Sequence, residues 1–227
     1  MLEVAARLQR CQRRLILATQ AAHRDANAVT LLAVSKTKSS DAIREAAAAG
    51  QRLFGESYVQ EAVDKIRELQ TLGLEWHFIG PLQSNKTRPV AEHCHWLQSL
   101  DRLKVAERLS QQRPRALGQL NVCIQVNISA EEQKAGVSCA ELPEFAAAIT
   151  ALPGLRLRGL MAIPAPCSDP LGQRLPFAAM RQLLADLRLH YPALDTLSMG
   201  MSDDLEAAVM EGSTLVRVGT AIFGDRR

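Results

Sequence analysis

Aromatic side chains are scarce: two Trp, two Tyr and five Phe make up 4% of the 227 residues. A β-sandwich is therefore a poor fit, and the abundant Ala, Leu and Val suit a strand core wrapped by Ala-rich helices. No apolar run approaches the ~18–20 residues needed to span a bilayer, so no membrane partner is expected. The five cysteines (Cys11, Cys94, Cys123, Cys139, Cys167) are odd in number and form no Cys-x-x-Cys pair. Reduced thiols in a cytoplasmic protein are the simplest reading. A net charge of +3 lacks the basic excess of a nucleic-acid protein. Arg113-Pro114-Arg115 has no aromatic interleaving and reads as a solvated face. His93-Cys94-His95 looks like a metal cluster, but adjacent strand residues point to opposite faces, so no metal site is expected. With 47% apolar and 22% charged residues, disorder is excluded as well.

The N-terminus carries Arg7, Arg10, Arg13 and Arg14 against one early acid, Glu3. A transit peptide shares this bias. Leu2, Ala5, Ala6, Leu15 and Leu17 with charge between them fit an amphipathic helix, which is the reading adopted.

Beyond that helix, short apolar runs alternate with helical stretches. The runs Thr30–Ser35, Arg52–Gly55, Trp76–Gly80, Trp96–Leu100, Leu120–Ile128, Leu155–Ile163, Thr196–Met199 and Thr214–Val218 predict eight strands. Helices are predicted over 40–49, 57–71, 84–92, 102–112, 141–151, 174–190 and 203–211. Near-continuous apolar strands separated by helices read as βαβ units around a parallel sheet. Eight repeats predict a closed (β/α)8 TIM barrel, one domain over residues 1–227. An open doubly wound sheet is the alternative. Gly50 suits a left-handed helix cap, and Pro153-Gly154 ends another helix. Pro164, Pro166, Pro170, Gly172 and Pro176 predict a long loop after strand 6, on the face where barrel active sites lie.

Three features carry chemistry. Lys36 ends the run Leu31-Leu32-Ala33-Val34-Ser35 and so stands at a barrel mouth. Desolvated or set near another cation, a lysine loses its proton and becomes a nucleophile for an aldehyde; otherwise it snorkels to solvent. Lys38 is close enough to share that mouth. Arg217 interrupts the apolar run Thr214–Val218 and needs an acceptor, either a carboxylate or a ligand atom. Ser198-Met199-Gly200-Met201-Ser202 and Val218-Gly219-Thr220-Ala221 follow strands 7 and 8, where barrels commonly bind phosphate. Glycines admit backbone N–H groups, and Ser202 and Thr220 add hydroxyls. Asp203 and Asp204 are expected to face outward, with Glu206 completing a capping box. An amine, an arginine and a phosphate cradle together describe a pocket for a phosphorylated aldehyde such as pyridoxal 5′-phosphate.

The sequence resembles the pyridoxal phosphate homeostasis family, bacterial relatives of the proline synthetase co-transcribed protein, from about Leu31 to Gly224. The carriers are Leu31 to Lys38, Phe54-Gly55-Glu56 with Tyr58-Val59-Gln60-Glu61, Trp76 to Lys86, Gly159 to Pro164, Ser198 to Glu206, and Arg217 to Gly224. The resemblance implies a fold similar to the barrel domain of alanine racemase. It implies Lys36 as the Schiff-base lysine, Ser202, Gly219 and Thr220 around the phosphate, and Arg217 facing the pyridine nitrogen, which weakens the ring as an electron sink. Where the family has Asn after Phe-Gly-Glu, this sequence has Ser57, whose shorter hydroxyl needs a bridging water.

Two functions follow. One is a non-catalytic carrier that holds pyridoxal 5′-phosphate as a Lys36 aldimine and delivers it to apo-enzymes, expected to be a monomer. The other is a racemase-type enzyme, which needs an acid–base residue opposite the lysine from a second domain. The sequence stops at Arg227, directly after the last strand, so that domain is expected to be missing. A phosphosugar aldolase using Lys36 is a third class, which a yellow protein would exclude.

Overall fold

In the computed structural model, residues 2–131 and 133–224 are described, and eight parallel strands among them close into a barrel in chain order. Helix α1 (Leu2–Ala21) precedes β1 (Thr30–Val34), α2 (Ser40–Ala48), β2 (Leu53–Glu56), α3 (Val59–Glu68), β3 (Glu75–Phe78), α4 (Thr87–His93) and β4 (Trp96–Leu100). Then come α5 (Leu103–Gln112), β5 (Leu120–Gln125), α6 (Leu142–Thr150), β6 (Leu155–Met161), α7 (Pro170–Arg188), β7 (Thr196–Ser198), α8 (Leu205–Met210), β8 (Leu215–Val218) and α9 (Thr220–Phe223). β8 returns to β1, with Arg217 beside Leu32 and Val218 beside Ala33. That closure sets aside the open sheet. No helix among the described residues is long and apolar enough to cross a membrane.

The strands are apolar on both faces because both are covered. Outward residues such as Phe54, Trp76 and Val216 pack against α1 and α2 neighbours including Leu8, Leu15 and Ile43. On the far side of the barrel, Phe78, Leu97, Val122 and Leu160 meet residues of α4 to α7. Helix α1 buries Leu8, Cys11, Leu15 and Ala18, a spacing that makes one stripe. Its first turn is tied to α2, since Val4 and Ala5 N–H donate to Glu45 Oε1 at 3.0 and 3.3 Å. Ser39 caps α2 by accepting from Ala42 N–H, and Gly50 follows that helix at φ 98°.

One predicted element changes. The proline-rich stretch is not a loop through Pro176: α7 begins at Pro170, capped by Asp169, and carries Pro176 inside it. Pro170 suits a first helical position, whose N–H needs no intrahelical partner. Phe177, Met180, Leu184 and Leu187 supply a buried stripe that outweighs the one bond Pro176 cannot donate. The loop after β6 therefore shortens to residues 162–169.

Candidate functional site

The C-terminal ends of the strands open on a cavity of about 580 Å³. Lys36, Ser57, Ser202, Arg217, Gly219 and Thr220 all line it. They come from the ends of β1, β2, β7 and β8, so barrel closure gathers residues spread over 185 positions of sequence (220 less 36, counted inclusively). Val34, Ile79 and Ile163 add apolar wall.

Lys36 is half-buried, two residues past β1, and the backbone on both sides of it is clamped. Ser35 N–H donates to the Gly55 carbonyl at 2.9 Å, and the Ser35 carbonyl accepts from Lys65 Nζ at 2.8 Å. Thr37 sits at φ 63°, and its N–H donates to Glu61 Oε1 at 2.6 Å. A threonine in this left-handed region costs on the order of 1 kcal/mol or more, so the Glu61 bond matters to the turn. Lys65 also donates to Glu56 Oε1 at 2.8 Å and Glu61 Oε1 at 2.7 Å, and Ser35 Oγ donates to Glu56 Oε1 at 2.6 Å. Glu56 is buried, and its Oε2 has no hydrogen-bond partner among the described residues. Burial raises its carboxyl above the ordinary carboxylate value despite the Lys65 charge beside it.

Arg217 is 4% exposed. Its Nη1 donates to the Ser198 carbonyl and Ser198 Oγ, both at 2.7 Å, and its Nη2 donates to the Ala162 carbonyl at 2.9 Å. The acceptor is therefore not a carboxylate: among the described residues Arg217 makes no salt bridge. Burial pulls its pKa down to about 10.

The two glycine segments meet at the far wall. A Cβ on Gly219 would lie 3.2 Å from the Val34 carbonyl oxygen and 3.4 Å from Val34 Cβ, tighter than an ordinary side-chain contact. Thr220 then opens α9, whose first N–H groups have no intrahelical acceptor. Gly200 turns the other segment at φ 96°, and a Cβ there would fall 2.5 Å from Ala208 Cβ. The Ser202 carbonyl accepts from Arg14 Nη1 at 2.6 Å, and Arg14 Nε donates to Glu206 Oε1 at 2.5 Å.

Two expectations are corrected here. Glu206 does not close a capping box: α8 starts at Leu205, Asp204 Oδ1 accepts from Met201 N–H, and Glu206 pairs with Arg14 across the α1 interface. Asp203 lines the cavity rather than pointing away from it. Lys38 lies in a neighbouring cavity with Arg7 and Glu3, and its Nζ donates to the Gly224 carbonyl at 2.8 Å.

Sequence reasoning missed Arg14, which reaches the site from a helix that precedes the barrel; nothing local marks it. It also missed Glu56 and Lys65. Their signal was present, as charges at positions whose strand and helix neighbours are buried, Phe54 and Gly55 in one case and Ala62 and Val63 in the other.

Comparison with known proteins finds relatives over nearly the whole chain. A family model described as alanine racemase, N-terminal domain, matches residues 8–227. A pyridoxal phosphate homeostasis protein of Pseudomonas aeruginosa is 58% identical over 223 residues, covering 98% of this chain and 96% of the relative. One from Escherichia coli is 56% identical over 227 residues, covering 99% and 97%. Among solved structures, PipY of Synechococcus elongatus with PLP bound has a TM-score of 0.81 at 39% identity, covering 97% of this chain and all of that one. Alanine racemase of Corynebacterium glutamicum, at 19% identity and a TM-score of 0.68, shares the fold over 95% of this chain and 60% of its own.

Proposed function

The chain belongs to the pyridoxal phosphate homeostasis proteins, a family of alanine-racemase-type barrels, and we propose that its upper cavity holds pyridoxal 5′-phosphate attached at Lys36. One observation carries the reading: an amine, a buried guanidinium bonded to no carboxylate among the described residues, and a glycine-and-hydroxyl corner converge in one cavity. The donor set fits this cofactor. Gly219, where Val34 leaves little room for a Cβ, admits an anion close to the backbone, and Ser202 and Thr220 add hydroxyl donors. Val34, Ile79 and Ile163 suit a flat ring. Arg217 keeps two N–H groups beyond its three described bonds and would face the ring nitrogen. Ser57 reaches the ligand by way of water.

When bound, the cofactor supplies a reactive aldehyde and, with its ring nitrogen unprotonated, a weak electron sink. Lys36 presents the amine to the cavity that Arg217 also lines. Glu61, Lys65 and Ser35 hold the backbone on either side of Lys36. We assign a carrier rather than a racemase. No tyrosine lines the cavity among the described residues to oppose the lysine as a second acid–base group, and a half-buried Lys36 leaves the cofactor within reach of a recipient apo-enzyme.

Borohydride reduction of the cofactor-treated chain, followed by peptide mapping, tests the attachment. A pyridoxyl tag on Lys36, with loss of tag and yellow colour in Lys36→Ala, is the expected result; a tag on another residue overturns it. Exchange of an amino acid's α-hydrogen in deuterated water at enzymatic rates would overturn the carrier assignment alone.

A further inference from the structure

Below the cavity, a run of hydrogen bonds crosses the barrel interior. Arg217 Nη1 donates to Ser198 Oγ at 2.7 Å, and Ser198 Oγ donates to Gln98 Oε1 at 2.6 Å. Gln98 Nε2 and His77 Nδ1 are 2.8 Å apart, and His77 Nε2 and Glu75 Oε1 are 2.9 Å apart. Ser198, Gln98 and His77 are at most 1% exposed, and none of them lines the upper cavity. Both ends fix the direction of the run, because a guanidinium only donates and an ionised carboxylate only accepts. His77 must then carry its proton on Nε2, and Gln98 must give its N–H to Nδ1 and its carbonyl to Ser198. Turning the Gln98 amide over would set acceptor against acceptor at His77 and take away the acceptor of the Ser198 O–H. In a dry interior that leaves buried groups unpaired.

The other surroundings of His77 agree with a neutral ring. Trp96 stacks on it with centroids 5.1 Å apart. Glu75 and His95 are the titratable groups acting on it, and burial sets its pKa below the ordinary value. Arg217, for its part, rests on neutral acceptors: two carbonyls and the Ser198 hydroxyl. Of these the hydroxyl is the one free to rotate, and Gln98 is what stops it.

We propose that Ser198, Gln98 and His77 are positioning residues that hold the Arg217 guanidinium for its ligand, and that the run makes the His77 ring respond to what Arg217 binds. The proposal rests on the cofactor reading above. Protonating His77 would place a donor against Gln98 Nε2, force the amide over and disturb the Ser198 hydroxyl under Arg217. By linkage, a ligand that pulls on Arg217 acts back on His77 with equal strength.

The test is a pyridoxal 5′-phosphate titration that follows the bound-cofactor absorption band and the ring-nitrogen NMR signals of His77. Ser198→Ala and Gln98→Leu should each weaken binding about tenfold and shift the band, as loss of a buried hydrogen bond to a charged group does. In the wild type the His77 signals should move on binding, and in Ser198→Ala they should not. Should Gln98→Leu fail to fold, Gln98→Glu replaces it. The introduced carboxylate still accepts from Ser198, so binding stays near wild type, but it draws a proton onto His77 Nδ1 and moves the ring signals toward imidazolium. Unchanged binding and band in Ser198→Ala overturn the proposal, as do His77 signals that ignore a cofactor whose band has appeared. A wild-type chain that shows no band overturns the cofactor reading instead. The cofactor-free chains then still decide the proposal: the His77 signals must differ between Ser198→Ala and wild type.

Discussion

The two mouths of the barrel enclose cavities of similar size, about 580 Å³ at the C-terminal ends of the strands and about 530 Å³ at the N-terminal ends. They differ in how charge is matched. At the lower mouth Arg158 Nε donates to Asp195 Oδ1 at 3.0 Å, Nη1 donates to Asn121 Oδ1 at 3.1 Å, and the guanidinium lies 4.7 Å above the Trp96 ring. Glu75 has His77. At the upper mouth Arg217 is buried against carbonyls and a hydroxyl, and the carboxylate of Asp203 stays at an exposed position of the lining. Burying a guanidinium with no carboxylate bonded to it opposes folding, and the Asp204 charge nearby offsets this only in part. The lower mouth therefore reads as structure and the upper one as a place completed by a ligand, which is the usual division of labour in this fold. Volume alone would not have told them apart.

The largest effect should come from the buried Lys65–Glu56 pair of the upper half, which lies behind the cavity wall. Lys65→Met leaves Glu56 buried with no counter-charge and releases the Ser35 carbonyl. Breaking a buried pair from one side costs about 3–5 kcal/mol. Urea unfolding should show a loss of that order, together with weaker cofactor binding, because the Lys36 clamp opens. A loss below about 1 kcal/mol would mean that the upper half draws its stability from elsewhere.

A matched pair of substitutions tests the contrast directly. Arg217→Leu should weaken cofactor binding by at least about tenfold, since it removes the charged donor in the cavity. Arg158→Leu should leave binding within about twofold and lower stability by about 1–2 kcal/mol, because the lost pair is partly exposed. Titration of both variants, with thermal unfolding alongside, gives the comparison. Equal binding losses would erase the distinction between the mouths.

What was legible in the sequence follows the same division. Parallel strands buried on both faces leave continuous apolar runs, so all eight strands and the barrel could be read from runs such as Leu120–Ile128, of which Leu120–Gln125 is strand. Lys36 and Arg217 stood out as cations at or within apolar strands, while Ser202, Gly219 and Thr220 sit in ordinary turn segments and stood out only by following strands 7 and 8 and through the family resemblance. Arg14 did not, because its role depends on α1 packing beside α8, a contact no local pattern encodes. Pro176 misled for a related reason: proline punctuates chains locally, and here a buried helical stripe prevailed. His77 and Gln98 sat in view as polar residues in buried strands, but their chemistry appears only when β3, β4 and β7 are brought together.

The smallest effect concerns acid, and it separates the mouths by sign. Burial lowers the pKa of His77 below its ordinary 6.5, with the Glu75 bond opposing, and burial lowers that of His95 as well. An unfolded chain then binds more protons than the folded one as pH drops past about 6.5, so the lower mouth's contribution is complete above that value and declines below it. Glu56, in the upper half, is shifted upward by burial and has the opposite sign: its contribution is present below 4.5 and is lost as pH rises through the raised value. The net slope mixes the two, so the difference between wild type and His77→Gln is the useful quantity. Glutamine at that position still accepts from Gln98 and donates to Glu75 but does not titrate. Measured by urea unfolding between pH 7 and pH 5, the variant should lose less stability than the wild type, by less than either change above. Parallel curves would show that the ring takes up its proton as readily in the folded chain as in the unfolded one, and a wild type that loses less than the variant would show a ring already protonated; in either case the directed run of hydrogen bonds from Arg217 to Glu75 would have no fixed sense.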